Sequence, residues 1–237
     1  MPSRCRIHNT GLSRSSLIIA ALVLSIAALA LMKNLLDPPR ELKGEQLIRA
    51  LKCGGYTLLF RHTARATNVT EFNDLIVLAD CSTQIPLTEL GRAQARSVGE
   101  AMRKLGIPIG ETIASPFCRT METARLIAGN ARADNAVLGH ADGSFKNTMN
   151  FTPLIDIMAT PPQRGTNRII VGHSSAFDNV AGGPALEQGE SGIFRIVDRR
   201  PVLVARVLVE EWQAYVSLNG DGAKSGGAFR TGAIGKN

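Results

Sequence analysis

The sequence predicts an α/β fold, a three-layer α/β/α sandwich with a mostly parallel sheet and an antiparallel edge. Three observations carry that reading. Short apolar runs alternate with amphipathic segments over residues 44–173, the pattern of strands joined by crossover helices. Two of these runs, YTLLF and RIIV, have the length and the aromatic, aliphatic and β-branched composition of strands. The last strands, GIFRIV and VLVARVLVE, are separated only by DRRP, which suits a hairpin at a sheet edge.

Taken in order, GEQLIRALKCGG (44–55) is a short amphipathic helix stopped by Gly54 and Gly55. Residues 56–60 form the first strand, and residues 61–86 a long connection. Residues 87–107 form a helix capped by Thr88, with Leu90, Ala93, Ala95, Val98, Ala101, Met102 and Leu105 as its apolar face. Residues 112–114 give a second strand and residues 119–129 a helix ending at a glycine. Residues 130–146 read as irregular, and NFTPLIDIMATPP holds one more helix. Residues 168–171 form a third strand, followed by the hairpin. The resulting division is 1–43 as a leader or anchor plus linker, 44–216 as the folded domain, and 217–237 as a Gly-rich flexible tail.

The N-terminus sets the expected compartment. Arg4, Arg6 and Arg14 precede sixteen uncharged, almost wholly apolar residues, 17–32. A basic segment followed by such a run is an export signal or a signal anchor, so the N-terminal segment is expected to contact membrane and the domain to be periplasmic or outward-facing. Cysteine usage agrees: Cys53, Cys81 and Cys118 follow the run, enough for one disulfide and one spare thiol in an oxidising compartment. Without the three leading arginines, the formal charge of +7 shrinks to a mild cationic excess. Aromatic residues are only 5% of the chain, which disfavours a base-stacking nucleic-acid surface. The cysteine and histidine spacings match no zinc pattern, and no metal or cofactor is expected.

In open parallel sheets, sites gather at the carboxyl ends of strands. Arg61–His62, Ser115–Arg119 and His173 each follow a predicted strand. Two histidines and several arginines at one place suit phosphoryl transfer: a neutral imidazole attacks, and guanidinium groups hold the phosphoryl oxygens. Four segments in order, LLFRHT, LTELGRAQA, IASPFCRTMETA and IIVGHSS, resemble the signature of the histidine phosphatase (phosphoglycerate mutase-like) superfamily over residues 44–212. That resemblance implies His62 as nucleophile, Arg61 and Arg119 as phosphate-binding residues and His173 as the second histidine. Arg65 matches an additional phosphate ligand found in some relatives. DCSTQIPLTELG and SPFCRT are further similar to an exported subgroup with cysteine at both places, which implies a Cys81–Cys118 disulfide. Similar sequences often carry a basic residue where this chain has Ile85.

The general acid is not fixed by this pattern. The two positions where large branches of the superfamily place it hold no Glu near residue 142 and Ser174 directly after His173. Glu190, Asp142 and Asp80 are the candidates. The implied activity is a metal-independent phosphatase working through a phosphohistidine. Its substrate would be a small phosphorylated molecule or a phosphorylated envelope glycan. The resemblance extends to lipopolysaccharide-core heptose-phosphate phosphatases and to phosphohistidine phosphatases. A non-catalytic phosphate-ligand binder of the same fold and a phosphomutase are the alternatives.

Overall fold

A computed structural model describes Ser25 and residues 41–69, 78–139 and 149–225. The described residues from Glu41 to Ser225 form one compact unit. Its elements are α1 (Gly44–Cys53), β1 (Thr57–Arg61), a 3₁₀ turn (Cys81–Thr83), α2 (Glu89–Lys104), β2 (Ile109–Ala114), α3 (Cys118–Ala128) and β3 (Arg132–Ala133). They continue with α4 (Asn135–Leu138), α5 (Thr152–Met158), β4 (Asn167–Gly172), α6 (Ser174–Ala181), β5 (Ser191–Val197), β6 (Arg200–Val207) and α7 (Val209–Ser225).

The strands form one sheet in the order β3-β2-β4-β1-β5-β6. The first four are mutually parallel, and β5 and β6 run antiparallel at one edge. Side chains alternate across the sheet, as a pleated strand requires. Leu58, Phe60, Ile169 and Val171 face a core closed by α1, α2, α3 and α7. Leu59, Ile113 and Ile170 face a second core closed by α4, α5 and α6. Two cores on opposite faces make the three layers that the alternation of strands and helices predicts. At the amino ends of the strands, buried Asn167 donates to the Leu51 and Pro108 carbonyls and accepts from the Tyr56 N–H. It thereby joins the starts of β1, β2 and β4.

Four expectations change. Leu90 is 64% exposed and Ala93 is also exposed; the buried face of α2 uses Gly91 and Gly99 together with Ala95, Val98, Ala101 and Met102. Glycines let the helix backbone come close, a contact that apolar periodicity does not register. The stretch after residue 130 is not wholly irregular: Arg132–Ala133 pairs with β2, and Asn135–Leu138 is helical with Asp134 as its cap. A helix, α6, also follows His173 directly. Finally, the Gly-rich tail does not begin at Ser217, because α7 runs to Ser225. Tertiary packing overrides the two glycines in that helix: Trp212 is fully buried and stacks on Phe60, and Gln213 Nε2 donates to the Ser97 carbonyl and hydroxyl. Among the described residues no helix is long and apolar enough to cross a membrane. The predicted apolar run 17–32 lies outside them except for Ser25, which is helical.

Candidate active site

Strand register brings the predicted residues together. Arg61 pairs with Gly172 across β1 and β4, so His62 and His173 leave neighbouring strands side by side. The His62 N–H donates to the Gly172 carbonyl at 3.0 Å, and the Ser115 N–H donates to the Val171 carbonyl at 3.0 Å. Three strand ends are thus laced at one place. The two imidazoles lie 5.6 Å apart, centroid to centroid, edge to face.

The loop after His62 is gripped by the start of α2. Thr88 N–H and Oγ1 both donate to the Ala64 carbonyl, and Gln94 Oε1 accepts from the Ala64 N–H. Gly91 lies so close to Ala64 that a Cβ there would collide with its carbonyl. Thr88, Gly91 and Gln94 are spaced three apart and share one helix face. Their chemistry explains the LTELGRAQA pattern: it fixes the backbone that carries the histidine. Behind the loop, the Thr63 N–H donates to Thr123 Oγ1, which itself donates to the Arg119 carbonyl. His62 and Arg119 are therefore tied to one another through α3.

His62 is 3% exposed. Its Nδ1 lies 2.8 Å from the Thr63 carbonyl, which can only accept, so Nδ1 carries the proton and Nε2 the lone pair. Burial, followed by the charges of Arg119, Arg61 and Arg65, pushes its pKa down to about 3 against the opposing Thr63 bond. The leading cause is desolvation rather than the flanking cations. His173 is likewise held well below the ordinary range, first by burial and then by Arg119. Its Nε2 shares a 3.1 Å hydrogen bond with Ser115 Oγ. Both rings are neutral at pH 7.

Arg119 is buried, with its guanidinium carbon 4.3 Å above the centre of the Phe117 ring. Phe117 in turn meets His173 edge-on at 5.1 Å. Phe117 was not among the predicted site residues; its place in the SPFCRT segment was the available signal. Arg61 Nη1 donates to the Leu186 carbonyl at 2.8 Å, and its pKa is lowered by burial and by Arg65. The charge of Arg65 is felt at Arg61, His62 and His173, which places Arg65 in the same cluster. Gln188 Oε1 accepts from its backbone N–H.

The Cys81–Cys118 disulfide is present and pins the long connection to the start of α3, one residue before Arg119. Gln84 reinforces it, accepting from the Cys118 N–H at 2.7 Å and donating to the Leu78 carbonyl. Cys53 is free and exposed.

The candidate acids fare differently. Glu190 does not fit the role of proton donor. One carboxylate oxygen accepts from Arg206 Nε at 2.6 Å, and the other accepts from Arg206 Nη2 and the Glu187 N–H. Burial favours its neutral form, but Arg206 and Glu187 outweigh that, and the carboxyl lies below its ordinary range. Glu190 instead fastens the loop that bonds to the site: Arg61 N–H donates to the Glu190 carbonyl, and Gly189 N–H to that of His62. Asp80 caps the 3₁₀ turn, and its bonds from Ser82 hold it ionised. Asp142 lies outside the described residues.

Residues 58–138 match the sequence model of the histidine phosphatase superfamily (branch 1). That segment belongs to the histidine phosphatase superfamily. It contains Arg61, His62, Arg65 and Arg119 and ends before β4, so the superfamily match covers the first three strands and the structure adds His173. An ecdysteroid-phosphate phosphatase of Bombyx mori is 48% identical over 52 residues, which cover 22% of this chain and 8% of that protein. The chain thus matches only a small part of that relative's length. Among solved structures, a phosphoserine phosphatase from Entamoeba histolytica is 15% identical, covering 65% of this chain and 98% of that one, with a TM-score of 0.45. The protein histidine phosphatase SixA, complexed with tungstate, is 11% identical, covering 66% and 98%, with a TM-score of 0.44. An α-ribazole phosphatase from Shigella flexneri is 14% identical, covering 62% and 94%, with a TM-score of 0.42.

Proposed function

We propose that this chain is a metal-independent phosphatase that hydrolyses a phosphorylated substrate through a phosphohistidine on His62. The observation that carries the reading is a buried, neutral His62 with Nδ1 committed to the Thr63 carbonyl, amid the charges of Arg61, Arg65 and Arg119. In the first step, the Nε2 lone pair attacks phosphorus and the bond to the leaving oxygen breaks. The ring then carries the phosphoryl group on Nε2 and a proton on Nδ1, which the Thr63 carbonyl stabilises. In the second step, water attacks phosphorus, the N–P bond breaks and inorganic phosphate leaves. Arg119, Arg61 and Arg65 offset the charge on the phosphoryl oxygens in both steps, and His173 completes the pocket.

The substrate is a small phosphorylated molecule or a phosphorylated group on an envelope glycan. Export or anchoring through residues 17–32 would place the enzyme there, and the Cys81–Cys118 disulfide suits an oxidising compartment. N-terminal sequencing of the exported protein tests that placement; cytoplasmic retention would overturn it.

The test of the activity is turnover of p-nitrophenyl phosphate in the presence of EDTA. Activity is expected to persist with the chelator, to vanish in His62→Ala, and to leave acid-labile phosphate on His62 after rapid quenching. Activity surviving in His62→Ala would remove the nucleophile assignment. Phosphate binding without any turnover would favour the non-catalytic binder.

A further inference from the structure

A cavity of about 830 Å³ opens beside the phosphate site, and nothing above assigns it a role. It runs along the outer side of α3 from Pro116, Cys118 and Arg119 at the rim down to Arg125 and Leu126. Leu78, Pro86 and Met121 give it apolar surface, and Ala133 of β3 lies on its wall. Its size is that of a cavity for an organic molecule of moderate size, far more than a phosphoryl group fills.

The charges along it are unequal. Arg92 is neutralised within the protein by Glu89 and Glu122, each at 2.7 Å. Arg125 is exposed and has no ion pair among the described residues. It lies six residues beyond Arg119 on the same helix, about 9 Å along the axis. The cavity thus begins at Arg119, continues over apolar surface, and reaches a cation with no ion pair among the described residues.

We propose that this cavity receives the leaving group of the substrate: an elongated, largely apolar organic group carrying the reactive phosphate at one end and an acceptor or anion near Arg125 at the other. The proposal rests on the phosphatase reading for the word substrate, but the site can be tested by binding alone. Arg119 serves both parts, holding the phosphoryl oxygens while its helix forms the wall against which the leaving group lies. The disulfide keeps the rim open by fixing Cys81 against the start of that helix.

The test measures dissociation constants of inorganic phosphate, hexyl phosphate and hexyl phosphate bearing a terminal carboxylate on the full-length His62→Ala protein, which cannot turn them over. Hexyl phosphate is expected to bind about tenfold more tightly than inorganic phosphate, equivalent to about 1.4 kcal/mol. Ala133→Trp, an exposed position on the wall, should erase that advantage while leaving inorganic phosphate within about twofold. Arg125→Gln should weaken only the carboxylate-bearing ligand. Equal binding of the three ligands, or a hexyl advantage that survives Ala133→Trp, overturns the proposal. Hexyl binding blocked by Ala133→Trp in a protein whose wild type never turns over would sink the phosphatase reading and leave the site standing. Wild-type turnover of p-nitrophenyl phosphate with no hexyl advantage would do the reverse.

Discussion

The buried, neutral His62 has a measurable consequence for stability. An imidazole whose pKa falls from 6.5 to about 3 on folding binds its proton more readily in the unfolded chain. As pH drops below 6.5 the unfolded state gains that proton first, so the folded state loses stability until the folded pKa is reached. From about pH 7.5 to about pH 5 the unfolded histidine becomes almost fully protonated while the folded one does not, which costs about 2 kcal/mol. His62→Asn keeps a polar side chain of similar length without a titrating ring. Urea unfolding of wild type and His62→Asn at the two pH values isolates the effect, because contributions common to both proteins, including that of His173, cancel. Wild type is expected to lose about 2 kcal/mol more than the variant on acidification. An equal loss in both proteins would show that His62 titrates normally in the folded state, and the case for a buried neutral nucleophile would fail.

Glu190→Gln separates a loop clamp from a proton donor. It leaves Arg206 without its buried carboxylate partner and is expected to cost about 3 kcal/mol of unfolding free energy while the shape of the pH–rate profile stays the same. Unchanged stability with loss of the basic limb of the profile would restore Glu190 as the acid. Reduction of Cys81–Cys118, which closes a loop of sequence separation 37, is expected to lower stability by about 4 kcal/mol in the chain-entropy account. The urea midpoint with and without reductant checks this, and identical midpoints would mean that the loop is held by Gln84 and its neighbours alone.

Much of this architecture was written in local pattern. The short runs at β1 and β4 specify strands by length and composition, and the helical segments between them call for parallel crossovers. Arg61, His62, Arg119 and His173 were legible because each follows a strand, and parallel strands deliver their carboxyl ends to one edge. The contact face of α2 was less legible. Leu90 looked like a core residue, whereas Gly91 is the one that meets the loop, since close backbone approach leaves no hydrophobic signal. The tail was misjudged for a related reason: helix propensity counted the glycines near Ser225 but not the burial of Trp212 against Phe60.

The sequence by itself determined the order of the longer strands and helices, the neutral-histidine chemistry expected of Arg61–His62, and the pairing of Cys81 with Cys118 implied by family likeness. Only the tertiary structure decided which groups are electrically available. Glu190 reads as an acid candidate until Arg206, sixteen residues away, is seen to occupy its carboxylate. His62 reads as a neutral imidazole from the chemistry expected of it, and only the fold shows that burial, ahead of the neighbouring arginines, keeps it so. Protonation depends on solvent exclusion and on partners distant in sequence, and both exist only once the chain has folded.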